Sequence, residues 1–518
     1  MPVPPHQTPI DFSAALPFAD FAQACLYDPE WGYYSSGKVT FGRDAHFWTY
    51  PQRMRPLFGW MVAEAARTLF AALIESGRVP PEAPLHLLEL GGGNADLAGD
   101  TLDYIVAHAA EAPWTGIAGR VRYVLGEHAS ELRVRQRARL AEHIAAGRAE
   151  VRAVDASDLR WEGPFYGMLV ANELVDAFPC EVLRISAAEE VARLHVVARD
   201  AAGAQISREA LWERLRQPSQ AVDTAPRLAL CPRPLAAGWQ AADGRDGPVP
   251  AALQSYLARL QPLVTDLARC DLLPVDLCWA AATPRFVRGV AALLSGPERC
   301  GAALLIDYGG SSRHVLDPRA MNKHLRVYGP DGDLAHSDAV LHQPGHYDIT
   351  WDVDFSDLAA LARAHGLAVP FYGHQQVLER DPIVLWSKAA QRLLLAGRHA
   401  EGLEGMQALI EAHELVMRFR EAGGFRLMAL SAPDFPFPAE IFGPSDAFDG
   451  LGLATVAAAA TPELLGAALQ AAGLPEDLAA HLKPCGDPVA DLSDRRSYHL
   501  RAQVLAVLAL RGWLVAQL

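Results

Sequence analysis

From residue 85 to residue 185, apolar strand-like runs alternate with amphipathic helical runs, and few architectures accept that order. The sequence reads as strand 85–90, helix 94–109, strand 121–126, helix 130–146, strand 150–154 and strand 166–171. Strands alternating with helices predict an α/β fold: a doubly wound, mostly parallel sheet with helices on both faces. Ligands of such sheets bind in the crevice outside the carboxyl ends of the strands, so chemistry is sought there. After a helix near 284–295, the apolar stretch "GAALLIDYGG" reads as a further strand ending in Asp307. The segment 348–378 then gives strand, helix (stopped by Gly366) and strand, which closes the sheet.

The first strand of this array runs into glycines as "LELGGGNADLAGDTL". A dinucleotide fingerprint needs G-x-G-x-x-G with an acid about 20 residues further on. Gly91 and Gly93 fit, but Asp96 stands where the third glycine belongs. A carboxylate there repels a pyrophosphate and cancels the helix N-terminus. The pattern D/E-x-G-x-G-x-G/A fits instead, as Glu89, Gly91, Gly93 and Ala95. It resembles the first motif of class I methyltransferases, which bind S-adenosyl-L-methionine. That ligand carries an ammonium, a sulfonium and no phosphate, so an acid beside the turn can hold it by charge-assisted hydrogen bonding. Glycines let the backbone approach where a Cβ would collide. Glu127 ends the second strand, where a carboxylate can take both ribose hydroxyls, and Asp155 ends the third, where adenine is read. The competing reading of either acid is a helix cap.

Composition bounds the partners. With 518 residues the chain exceeds one ordinary domain. Its net charge of −15 argues against nucleic acid or an anionic membrane held by charge, and suits a cationic ligand or a basic partner segment. The seven cysteines form no C-x-x-C, which predicts neither zinc knuckles nor a disulfide framework, and a reducing, cytoplasmic compartment. No basic leader with an apolar core opens the chain, and no uncharged apolar run is long enough for a membrane span. Arg far outnumbers Lys and Ala is abundant, as in GC-rich bacterial genomes. Seven histidines fall between 314 and 374, but Pro344 breaks the spacing of His342 and His346, so no metal is expected. Five units are expected: a cap segment (1–80), a core in two parts (81–185 and 300–385), an insertion of polar loops with its connecting helix (186–299), and an Ala-rich helical region (386–518).

The segment "VANELVDAFP" joins "FAQACLYDPEWGYYSSG", "LLELGGGNADL", "LLIDYGG" and "PGHYDITWDVDFSDLA" in an order that resembles the MidA family, across residues 18–430. The resemblance implies a class I, S-adenosyl-L-methionine-dependent protein methyltransferase. The family's mitochondrial member dimethylates an arginine of a complex I subunit, so a protein substrate, such as a complex I subunit, is the implied partner. By the motif match, Glu89, Gly91, Gly93 and Glu127 carry over as cofactor residues. Asn172, Glu173 and Asp176 carry over as the acidic loop after the fourth strand, facing the methyl group.

A guanidinium stays protonated near neutral pH and is a poor nucleophile, so paired carboxylates must clamp it. Glu173 and Asp176, three residues apart, face the same way if their turn is helical. Asp307 would flank the acceptor, and Asp348, Asp352 and Asp354 alternate along "YDITWDVDF", so they would share one face of a strand. The chain also departs from the family pattern. Gly92 replaces a proline, Ala95 a glycine and Ala129 a serine, while Ala45, His46 and Gln52 replace a glycine and two acids. Loss of those two carboxylates supports a rival reading, a methyltransferase fold kept as a protein-binding scaffold.

Overall fold

A computed structural model of the chain describes residues 10–35, 56–187, 190–216, 227–235, 250–318, 325–329, 334–335, 339–374, 425–438 and 441. The segment bearing Ala45, His46 and Gln52, and the helical region expected over 386–518 apart from 425–438 and 441, lie outside the described residues. The N-terminal part supplies β1 (Leu16–Pro17), α1 (Phe18–Tyr27) and α2 (Leu57–Glu75). The core then lays down β2 (Leu85–Leu90), α3 (Asp96–His108), β3 (Val121–Glu127), α4 (Ser130–Arg139), β4 (Ala149–Ala153) and β5 (Phe165–Asn172). Next come β6 (Glu181–Ala187), β7 (Glu190–Arg199), α5 (Arg208–Arg216), β8 (Arg227–Pro234), α6 (Ala251–Arg269) and β9 (Val275–Trp279). The core resumes with α7 (Ala282–Leu294) and β10 (Arg299–Gly310). After it follow β11 (Leu325–Tyr328), β12 (Leu334–Ala335), β13 (Asp348–Trp351), β14 (Val353–Asp354), α8 (Phe355–Ala364), β15 (Ala368–His374) and β16 (Phe425–Ser431).

The central sheet runs β15-β16-β10-β5-β2-β3-β4, with β14 paired to β10. Five neighbouring strands, β10 to β4, are parallel, and β16 runs antiparallel between β10 and β15. The strands are apolar on both faces, as a sheet covered on both sides requires. Successive residues feed two different cores. Leu88, Leu90, Val124, Leu169, Ala171, Ala303 and Leu305 join one with Phe286, Val290, Phe355 and Leu358 of α7 and α8. Leu87, Tyr123, Leu125, Met168, Val170, Leu304 and Ile306 join the other with Phe58, Val62, Leu69, Leu97 and Leu102 of α2 and α3. This is the expected mixed α/β fold, in three layers.

Several segments depart from the sequence reading. The stretch expected to be polar loops builds most of a five-stranded antiparallel sheet, β1-β7-β6-β9 with β8 on β7, packed on α6 through Leu183, Val191, Tyr256 and Leu260. Pro232 and Pro234 lie in β8, but among the described residues β8 pairs with β7 alone, and an edge strand tolerates proline. The segment 348–351 does not close the central sheet either: β13 pairs with β11 in a small sheet of its own. Residues 425–431, "FRLMALS", lie in the region expected to be helical but form β16, which takes the place beside β10. The helix expected over 130–146 breaks at Leu140 into α4 and a short helix, Ala141–Ala145.

Candidate active site

Because β2, β3, β5 and β10 are parallel, their carboxyl ends bring Glu89, Glu127, Asn172 and Asp307 to one edge of the sheet. The glycine turn after β2 bends back on itself. Gly91 (φ +75°), Gly93 (φ +49°) and Ala95 (φ +63°) all lie in the left-handed region. Ala95 occupies that region at a cost of about 1–2 kcal/mol, which is why the motif usually has glycine there. A Cβ on Gly91 would stand 2.9 Å from Leu174, and one on Gly92 would stand 2.9 Å from the Glu89 carboxyl. The proline of the family pattern therefore has no room at position 92.

Glu89 lies beneath this turn rather than over it. Only 3% of it is exposed, and the Tyr123 hydroxyl donates to its Oε2 at 2.7 Å. Burial raises the carboxyl to about 7 against the pull of that hydrogen bond. A cation bound above the turn would favour its charged form.

Glu127, the last residue of β3, accepts the Ala129 amide at Oε1 (2.9 Å), just ahead of α4, whose first turn has no side-chain cap. Its Oε2 receives the Gln136 side-chain amide at 3.2 Å. Burial raises its pKa, and those donors oppose the rise. Asp155 is exposed, two residues past β4, and accepts the Ser157 amide (2.9 Å) and hydroxyl (2.7 Å) as the cap of a short 3-10 turn.

After β5 the chain does not turn helically, contrary to the sequence reading. Glu173 has φ +50°, and its amide donates to the Ile306 carbonyl at 2.8 Å. Asn172 donates to Glu173 at 3.1 Å, and Asn172 Oδ1 is buried without a partner. Asp307 shapes the loop: its Oδ2 accepts the amides of Val175 (2.9 Å) and Asp176 (3.2 Å). Asp176 is thus held at Asp307 by a hydrogen bond, and Glu173 lies near enough for its charge to act on Asp307, neither by helical spacing. Asp176 is buried, and its Oδ1 has no hydrogen-bond partner. Burial lifts Asp176 to about 6 while Arg326 pulls it down, and Asp307 lies well above the usual range through burial and the Asp176 charge.

The three alternating aspartates take three separate roles, because the strand breaks at Asp352. Asp348 accepts the Tyr34 hydroxyl at 2.7 Å and is pushed by burial to about 7. Asp352 pairs with buried Arg326, whose guanidinium lies 4.7 Å over the Tyr308 ring. Asp354 caps α8 and accepts the Tyr256 and Ser312 hydroxyls at 2.8 and 2.7 Å. Above the edge, Tyr27 stacks on Tyr34 (5.6 Å) and donates to the Ala177 carbonyl at 2.9 Å. The aromatic N-terminal segment thus packs against the acidic loop.

The arrangement pairs a glycine turn and a strand-end acid on one side with buried carboxyls under an aromatic wall on the other. The profile of a family described as "Putative S-adenosyl-L-methionine-dependent methyltransferase" matches residues 66–373, more than half of the 518. The chain belongs to this family. Two crystal structures from Burkholderia thailandensis share the methyltransferase fold. One, a superfamily member bound to S-adenosyl-homocysteine, is 24% identical with a TM-score of 0.55, covering 84% of this chain and 90% of its own. The other, an uncharacterized protein of that superfamily, is 22% identical with a TM-score of 0.52 and the same coverage. No curated protein matches the chain. Family membership makes S-adenosyl-L-methionine the cofactor, and the residues fit it: left-handed glycines that admit close approach, strand-end acids, and unpartnered Asn172 Oδ1 and Asp176 Oδ1.

Gln136 and Arg326 lie in no motif and were not singled out from sequence, and Tyr27 and Tyr34 lie in a quoted motif but were given no role. The aromatic cluster "GYY" was visible, but its contact with Asp348 is made across 314 residues. Among the described residues no cluster of His, Cys, Asp and Glu could hold a metal ion, and no helix is long and apolar enough to cross a membrane.

Proposed function

We propose that this methyltransferase acts on a protein side chain, an arginine guanidinium, with a respiratory complex I subunit as the class of substrate the family resemblance suggests. The observation that carries the reading is the buried carboxyl group of Asp176, with one oxygen unpartnered, beside Asp307 where β5 and β10 end, and near enough to Asp348 of β13 for their charges to interact. S-adenosyl-L-methionine supplies an electrophilic methyl group when bound. The chain's own task is then to position, desolvate and deprotonate the acceptor. Asp176 Oδ1 accepts a guanidinium N–H, and Glu173 offers a second carboxylate on the same loop. With a pKa near 6, Asp176 can take up the proton that a methylated nitrogen releases. Tyr27 and Tyr34 exclude water from above. A net charge of −15 suits a basic partner segment.

The test is transfer of a radiolabelled methyl group to proteins of a bacterial membrane extract, followed by acid hydrolysis. The reading expects labelled methylarginine from wild type and none from Asp176→Asn. Label in another amino acid, or equal label from the variant, would overturn the acceptor assignment. Cofactor binding without transfer to any protein would favour the scaffold.

A further inference from the structure

Helix α4, "SELRVRQRAR", is polar and arginine-rich, yet one of its polar residues is wholly buried. Gln136 is 0% exposed, and its side-chain nitrogen makes two contacts that meet at the cofactor edge. Nε2 donates to the Gly93 carbonyl at 2.9 Å and to Glu127 Oε2 at 3.2 Å. The Gly93 carbonyl and an ionised Glu127 carboxylate both accept only, so the amide nitrogen faces them; turned over, it would set an oxygen against two oxygens. Its Oε1 is buried and makes no hydrogen bond. A group buried with one polar atom unmatched is costly unless the matched atom is needed.

We infer that Gln136 is a positioning residue of the cofactor site: it ties the strand-end carboxylate of Glu127 to the glycine turn, so that the two binding elements keep one spacing. The inference rests on the methyltransferase reading, with Glu127 as the ribose acceptor. Gly93 stands in the left-handed region and Glu127 ends the neighbouring strand, and no other hydrogen bond described here joins the turn's carbonyl to that side chain. The donated N–H also stabilises the ionised Glu127 carboxylate against its burial, together with the Ala129 amide. Without Gln136, the carboxylate loses both a fixed direction and part of what keeps it charged.

The experiment is calorimetry on the full chain with S-adenosyl-homocysteine and its 2′-deoxyribose analogue. The proteins are wild type, Gln136→Met, which keeps length and apolar fit, and Gln136→Glu, which keeps shape. Wild type should prefer the ribose ligand by roughly tenfold, the worth of a charged hydrogen bond. In Gln136→Met that preference should fall to about threefold or less, and the pH below which binding weakens should move upward. Gln136→Glu sets a carboxylate against Glu127 and the Gly93 carbonyl, so its affinity should improve on acidification, opposite to wild type. A merely structural glutamine would lower thermal stability or weaken both ligands equally, leaving ribose preference and pH profile as in wild type; that result overturns the inference alone. Failure of wild type to bind S-adenosyl-homocysteine would overturn the methyltransferase reading and this inference with it.

Discussion

Asp176→Asn should make the protein more stable at pH 8 while abolishing methyl transfer. In the folded chain burial places the Asp176 carboxyl at about 6, against 3.8 for the ordinary group, with Arg326 already counted in its favour. The sign follows from linkage: a carboxyl whose folded pKa is raised binds its proton more tightly folded than unfolded. As pH rises from 4 past 6 the unfolded state therefore ionises first, and stability is lost across that window. A shift of about two units at 1.36 kcal/mol each sets a ceiling of about 3 kcal/mol at pH 8. Asparagine copies the protonated shape, and its Nδ2 can donate toward Asp307, whose own ionisation the Asp176 charge opposes. Allowing about 1 kcal/mol for an imperfect replacement hydrogen bond leaves a gain of about 1–2 kcal/mol. Denaturant midpoints of wild type and variant at pH 4 and pH 8 measure it, with the gain confined to pH 8. A variant less stable at pH 8, or a difference equal at both pH values, refutes the argument. A gain in stability with loss of activity is the signature of a charge kept for function.

Three further outcomes follow from the geometry. Glu127→Ala should weaken S-adenosyl-homocysteine by about 2–3 kcal/mol in calorimetry while the fold survives, since the ribose loses a charged acceptor. Gly92→Ala presses a Cβ on the buried Glu89 carboxyl (2.9 Å) and on Leu125, so it should destabilise by about 1–3 kcal/mol in denaturant and weaken the cofactor as well. Asp354→Ala removes the α8 cap and the acceptor of the buried Tyr256 hydroxyl, so it should cost about 2–4 kcal/mol of stability with cofactor affinity unchanged.

The parallel core was legible because burial on both faces forces apolar strands, and the crossovers force helices between them. The glycine turn was legible because left-handed backbone at Gly91 and Gly93 restricts residue choice. The insertion was misread where edge-strand prolines imitate a loop, and β16 was counted with an Ala-rich helical region because antiparallel insertion between β10 and β15 depends on a partner far along the chain. At the site, each acid could be named, but its role could not. Whether a carboxyl caps, pairs or stays open depends on long-range neighbours: Tyr256 for Asp354, Arg326 for Asp352, Tyr34 for Asp348. Gln136 sits in a helix whose composition looks entirely solvated, so only packing exposes it.

The central claim is that Glu89, Gly91, Gly93 and Glu127 form a cofactor site along one edge of the sheet. Calorimetric titration of the purified chain with S-adenosyl-homocysteine tests it most directly. The account predicts a single site with micromolar affinity, about −8 kcal/mol, and a rise in melting temperature on saturation. No heat of binding and no thermal shift, with either S-adenosyl-homocysteine or S-adenosyl-L-methionine, would contradict it.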